Sequence, residues 1–319
     1  MINLPIALGG FIVGSIVGLT GVGGGALMTP MLVLIFGVQP LAAVSSDIVA
    51  ALVMKPIGGG VHLRRGTVKM GLAKWLMLGS LPSAFVGVLL LRKFGGAGDA
   101  LQAHIKIGLG WALVLASVGI LARPIIGRRR SAAGSPSEVP VRVLPTLLVG
   151  IFGGLVVGMT SVGSGSLMIV LLLMLYPQFR ISDLVGTDLV QAIPLVASAA
   201  LGHVLLGDFR LSLTGSILIG AIPGVYLGAR VSSRAPDGVL RPVLVLALSS
   251  SAMKLLGMSN KTFPIGVAVV AMLLLIVAIP DIARLFARRT EAARVRKDQV
   301  LGTVQSRAPA QISKIAPLL

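Results

Sequence analysis

Thr20-Gly21-Val22-Gly23-Gly24-Gly25 lies inside an otherwise uninterrupted apolar run from Leu4 to Phe36, and it decides how that run folds. One straight helix of that length would reach roughly 50 Å at 1.5 Å per residue, well beyond a hydrocarbon core of about 30 Å. Four glycines at its centre supply the backbone freedom for a break. The run is therefore expected to form a helix, a non-helical turn and a shorter returning helix.

The same pattern recurs 140 positions later. Thr160-Ser161-Val162-Gly163-Ser164-Gly165-Ser166 interrupts a second long apolar run, Val143 to Tyr176, with Gly18 answered by Gly158 and Leu27-Met28 by Leu167-Met168. Beyond the breaks the register continues at an offset of 141. Ser46-Asp47-Ile48-Val49 matches Thr187-Asp188-Leu189-Val190, His62 matches His203, Gly66 matches Gly207, Pro82 matches Pro223 and Gly87 matches Gly228. The chain is a duplicated unit.

Composition places both copies in a membrane. Hydrophobic residues make up 55% of the chain and charged residues 12%, about half the share usual in soluble domains. Mean hydropathy is +0.98. Without cysteine there are neither disulfides nor thiolate metal sites, and no cofactor is expected. The net charge of +18 would suit a nucleic acid if it were clustered on a polar domain. It sits instead in short gaps between apolar runs and in the tail, as topology signals do, so no nucleic-acid partner is expected. Met1 to Leu19 has no basic leading region and no small-residue cleavage site, and it reads as mature sequence.

Seven further apolar runs are long enough to span: Leu41–Leu63, Met70–Leu91, Ala103–Ala122, Leu184–Leu206, Leu211–Val231, Val239–Gly257 and Phe263–Pro280. Charge tests whether each broken segment turns back or crosses. With hairpins, 21 of the 28 lysines and arginines fall on one face and five on the other, whereas single crossings leave the two faces nearly equal. The positive-inside rule thus favours hairpins, with the N-terminus outside and the tail in the cytoplasm. A hairpin plus three crossings is an odd unit, so the second copy is expected to be inverted.

The expected architecture is an all-α polytopic membrane protein of two inverted repeats, each a glycine-broken helical hairpin plus three spanning helices, with one extra C-terminal span. Its parts are repeat 1 (1–122), a basic cytoplasmic connector (123–142), repeat 2 (143–257), the additional helix (263–280) and a basic cytoplasmic tail (281–319).

The breaks are the candidate substrate site. Gly21-Val22-Gly23-Gly24-Gly25-Ala26 formally fits a dinucleotide fingerprint, but that motif needs a preceding strand and its surroundings here are membrane helix. Freed backbone amides and the positive end of a returning half-helix suit an anion. The substrate-binding candidates are Thr20, Gly21, Gly23, Gly24, Gly25, Thr160, Ser161, Gly163, Ser164, Gly165 and Ser166, with Lys55 as a fixed cation in mid-span. Helix packing through small residues is the alternative reading of the glycines. Lys55 has no repeat counterpart, because Val196 occupies the matching place, and it can instead pair with Asp47 on its own helix. Lys106, near a span end, is expected to snorkel.

Asp47 and Asp188 are repeat-related, follow hydroxyl residues and lie one to two turns inside their spans. Intramembrane carboxylates mark proton routes, so both are proton-coupling candidates, with capping of their own helices as the rival. His62 and His203 close their spans, where interfacial packing or a pH-sensing gate are the two readings. Neither forms a metal site.

The duplicated glycine-rich break, the apolar half-helix after it, the Ser/Thr-Asp early in the next helix and the His-then-Gly near its end together resemble the sulfite exporter TauE/SafE family over about residues 5–257. The resemblance implies secondary transport of small sulfur-containing anions such as sulfite or organosulfonates across a prokaryotic inner membrane. Ser161, Ser164 and Ser166 depart from the more glycine-rich form, and the last span and tail are additions. The expected partners are a small anionic substrate and the lipid bilayer, with homo-oligomerisation open. An intramembrane enzyme would need a nucleophile and base at matched depth, which glycine-serine breaks do not provide. A structural or assembly subunit binding partner helices through glycine faces is the alternative.

Overall fold

The computed structural model describes residues 3–20, 23–64, 66–94, 98–128, 140–179, 181–205, 209–231 and 237–274. These are helical apart from turns and one isolated bridge between Gly163 and Gly165. In chain order the helices are α1 (Leu4–Thr20), α2 (Gly25–Leu34), α3 (Pro40–Arg64), α4 (Met70–Phe94), α5 (Asp99–Arg128), α6 (Val143–Thr160), α7 (Leu167–Leu175), α8 (Ile181–Leu205), α9 (Leu211–Val231) and α10 (Asp237–Leu255). A shorter apolar helix, α11, follows over Phe263–Leu274. Residues 1–267 form one compact unit and residues 268–319 another, and of the second only 268–274 are described.

Among the described residues six helices are long and apolar enough to cross a membrane. Helices are the form such segments must take, since in hydrocarbon every backbone amide and carbonyl has to be satisfied within its own segment. Five of the six, α3, α4, α5, α8 and α9, lie on expected runs, and the sixth is α6, the first arm of the second broken run. Over the expected runs Val239–Gly257 and Phe263–Pro280 the apolar helices are shorter, Pro242–Leu255 and Phe263–Leu274, and α5 continues to Arg128, six residues into the stretch read as connector. Most of that connector, the end of the last span and the whole tail fall outside the described residues.

Both long runs break where the glycines stand. α2 has 10 residues and α7 has 9, about 15 Å each and roughly half a bilayer core. Each half-helix folds back on its predecessor. Tyr176, capping the end of α7, is fully buried and places its hydroxyl 2.8 Å from the Arg142 amide and 2.5 Å from Thr146 Oγ1, at the very start of α6. In the first copy Met31 and Phe36, at the end of α2, pack against Gly9 near the start of α1. Both segments therefore turn back as hairpins, the reading that the charge pattern favours.

The copies interlock. α1 packs along α9 and α6 along α4, so each repeat lends its first helix to the fourth helix of the other. Small residues make these contacts. A β-carbon on Gly10 or Gly14 would lie 2.7 or 2.6 Å from the Ile217 or Ala221 carbonyl, and one on Gly150 or Gly154 would lie 2.6 or 2.5 Å from the Leu76 or Ser80 carbonyl. Gly79, Gly87, Gly220, Gly224 and Gly228 return the contact from α4 and α9. Such backbone-to-backbone approach is what glycine faces provide where the solvent is lipid and no hydrophobic effect drives helices together. α3 and α8 meet between these pairs, and α10 lies against α5. This arrangement brings the two breaks to one place.

Candidate functional site

The breaks touch. Space for a β-carbon on Gly23 ends 2.5 Å away at the Ser164 carbonyl, and Gly25 is pressed still closer to the Ser161 carbonyl. Of the first-copy candidates, Gly24 is the N-cap of α2, and its carbonyl accepts the Leu27 and Met28 amides at 3.0 and 2.8 Å. Thr20 ends α1; its side chain and all of Gly21 lie outside what is described.

The second break is the more sharply bent. Ser161 caps α6 in the left-handed region at φ 60°, and Gly163 and Gly165 follow at φ 133° and 87°. Only glycine takes the last two without strain. Thr160 spends its hydroxyl inside the break, donating to the Val156 carbonyl at 2.6 Å and accepting the Val162 amide at 3.2 Å. Ser166, the N-cap of α7, is fully buried, and among the described residues its Oγ neither caps the helix nor meets another hydrogen-bond partner.

Three charged side chains from the paired central helices surround this junction. Lys55 of α3 is buried and donates from Nζ to Ser164 Oγ. Asp47, also of α3, accepts from Thr29 Oγ1 of α2 at 2.7 Å and from Ser161 Oγ at 2.9 Å, both on Oδ2. Asp188 of α8 accepts the Gly165 amide on Oδ2 at 2.5 Å and the Gln191 side-chain amide on Oδ1 at 2.9 Å. Ser80 of α4 donates to Gln191 Oε1 at 3.0 Å and so orients that amide. Both carboxylates are 1% exposed, and like Lys55 both contact the second break. Buried ions persist only when paired and hydrogen-bonded, and each of these has such partners.

The geometry corrects one reading of the sequence. Asp47 and Asp188 are each the eighth residue of their helix, about two turns in, so neither caps its own helix. Asp188 instead satisfies an amide of the second break, and Asp47 ties α2 to that same break. His203, in the last turn of α8, packs inside the bundle. It is fully buried, with Nε2 2.9 Å from the Gly158 carbonyl of α6 and Nδ1 2.9 Å from Ser45 Oγ of α3; the carbonyl can only accept, which makes Nε2 the donor. His62 contacts Thr67 Oγ1 from Nδ1 at 2.9 Å. Lys106 is exposed on α5.

Thr29 and Gln191 belong to the site and were not singled out from sequence. Gln191 had a signal, an amide three residues after Asp188 in an apolar span, where an unpaired polar group is costly. Thr29 offered only a hydroxyl in an apolar half-helix, which is commonplace.

Comparison with known proteins agrees with this architecture. The sulfite exporter TauE/SafE family model matches residues 6–255. The chain is 34% identical over 255 residues to a probable membrane transporter protein, YjnA, of Bacillus subtilis, covering 80% of this chain and all of that one. It is 27% identical over 251 residues to a second probable membrane transporter protein of that organism, YdhB, covering 77% and 97%. No solved structure matches. A family match that takes in both hairpins, all six long apolar helices and every charged residue of the junction places this chain in the sulfite exporter TauE/SafE family, as a multi-pass membrane transporter.

Proposed function

We propose that the protein is a secondary transporter of small anions, sulfite or organosulfonate-type sulfur compounds, working by alternating access at the junction of the two breaks. The observation that carries this is the contact of Lys55 Nζ with Ser164 Oγ. It puts a buried cation at the place where two interrupted helices meet. An anion there gains Lys55, the hydroxyls of Ser164 and Ser166, and the amide-rich start of α7. Broken helices meeting at a repeat interface are a recurring transporter plan, in which one half rocks against the other around a fixed site.

Supporting this reading, the two repeats make equivalent contacts with each other through α1–α9 and α6–α4. Each unit consists of a hairpin and three further helices, an odd number of crossings, and this supports inverted repeats. Repeat 1 is assigned to 1–122 and repeat 2 to 143–257, with the connector and tail in the cytoplasm of a prokaryotic cell and the N-terminus outside, following the charge distribution. Asp47 and Asp188 form the coupling pair that links the anion to a proton gradient.

Flux of labelled sulfite and sulfoacetate in proteoliposomes under an imposed pH gradient tests the function. Gradient-dependent movement of either anion is expected, and none for either would refute it. A purely structural subunit also predicts no change of thermal stability with any member of a panel of oxyanions and sulfonates.

A further inference from the structure

The two repeat-related carboxylates have different kinds of hydrogen-bond partner, and this separates their roles. Asp188 faces N–H donors, and one of them is a backbone amide that cannot turn round. The Gly165 amide donates to one oxygen and the Gln191 amide, oriented by Ser80, to the other. Two N–H donors, one on each oxygen, favour the ionised form. Asp47 faces hydroxyls. Thr29 and Ser161 both donate to Oδ2, yet a hydroxyl accepts as readily as it donates. Protonated Asp47 can therefore donate to one of them while that hydroxyl turns its hydrogen elsewhere. No hydrogen bond need be lost.

We propose that Asp47 takes up and releases the transported proton, while Asp188 stays ionised as the fixed counter-charge to Lys55 and as the acceptor that holds the second break. The division rests on reading the junction as the transport site, and it goes further by assigning one proton to one residue. One lysine and two carboxylates meet the second break here, Lys55 at Ser164, Asp47 at Ser161 and Asp188 at Gly165. A monovalent anion arriving at Lys55 unaccompanied would add an unbalanced buried charge; arriving with a proton on Asp47, it leaves the cluster's charge unchanged. The carboxylate and the proton combine to a carboxylic acid on the side of entry and separate again on the side of exit, so each cycle carries one anion and one proton together.

Proton uptake also bears on movement. Ionised Asp47 accepts from α2 of its own repeat and from the break of the other, so it pins the two copies together. Its protonation exchanges charge-assisted bonds for neutral ones, which are roughly half as strong.

The other charged and titratable groups on the elements around Asp47 are few. On the same helix is Lys55, and α8 brings Asp188 and, through Ser45, His203, while its Asp183 pairs with Lys69 at 3.8 Å. α2 carries no acid or base. α9 carries only Arg230, which is exposed, and Asp99, His104 and Lys106 of α5 are exposed as well.

Infrared spectroscopy of the purified full-length protein across a pH titration tests the assignment without requiring transport. The wild type should show a protonated-carboxyl stretch that is lost in Asp47→Asn, retained in Gln191→Leu and shifted in Thr29→Val, which removes a hydroxyl from Asp47 alone. A stretch that persists unchanged in Asp47→Asn, or none in the wild type at any pH, overturns the proposal. In proteoliposomes Asp47→Asn should keep anion counterflow and lose gradient-driven accumulation; normal accumulation also overturns it. If the infrared pattern holds while the wild type moves no anion, the transport reading fails and the proton assignment stands. Should Asp47→Asn prove unstable, the Thr29→Val shift decides, since an unshifted band belongs to another residue.

Discussion

Gly25 stands against the Ser161 carbonyl so closely that no β-carbon fits between them, and Gly24, its neighbour, has 3.8 Å to its nearest contact, the Met54 methyl. Two adjacent glycines thus differ sharply in what they tolerate. Gly25→Ala is expected to abolish transport while the protein still reaches the membrane, because the tips can no longer close, and Gly24→Ala should leave transport near wild type. Overpacking of this kind costs typically 1–3 kcal/mol, about enough to bias two access states without unfolding the chain. Flux and membrane abundance measured for both variants check it, and equal flux in the two would contradict the contact.

The buried Lys55 ammonium predicts a loss of anion affinity when its charge is removed. A hydrogen bond to a charged group is worth about 1.5–3 kcal/mol, so Lys55→Gln should weaken anion binding by roughly ten- to a hundredfold. The measurement is the shift in thermal midpoint with sulfite concentration for wild type and variant. An unaltered titration would mean that the anion does not meet Lys55.

The second hairpin is closed by Tyr176, whose buried hydroxyl meets the Arg142 amide and Thr146. Tyr176→Phe leaves the ring and removes the partner of the part-buried Arg142 amide and of the buried Thr146 hydroxyl, for an expected loss of about 1–3 kcal/mol. Thr146→Val should lose less, since the Arg142 amide keeps Tyr176. Together the two should be less than additive, because they share one network. Thermal unfolding in detergent for the double-mutant cycle measures both statements.

The hairpins, the duplication and the spans were legible because they follow from periodicity and length. Glycine clusters inside runs too long for one crossing leave few ways to fold, and an offset of 140 across the breaks that becomes 141 from Ser46 to Gly87 marks the repetition. What occupied the junction was partly legible. Lys55, Asp47 and Asp188 stood out as charges in hydrocarbon, but which backbone each would satisfy depends on how α3 and α8 bring the breaks together, and no local pattern encodes that. Asp188 looked like a cap and is one, for the second break and not for its own helix. His203 ends its span, as read from sequence, and is buried because α6 of the same repeat and α3 of the other converge on it.

The charge distribution makes a prediction about sidedness that can be read in intact cells. Of the 28 lysines and arginines, 21 lie on the face that carries the connector and the tail when both broken segments are hairpins. Both are hairpins, by the return of Tyr176 to Arg142 and of Phe36 to Gly9. An excess of this size on short loops normally fixes the cytoplasmic side. The chain has no cysteine, so single reporters can be introduced without background. Ser135→Cys in the connector and Ser306→Cys in the tail should both be shielded from a membrane-impermeant thiol reagent in intact cells and both react after permeabilisation. Labelling of one but not the other from outside would require an odd number of crossings between them and would remove either the second hairpin or the last span. Labelling of both from outside would keep the hairpins and reverse the whole protein in the membrane.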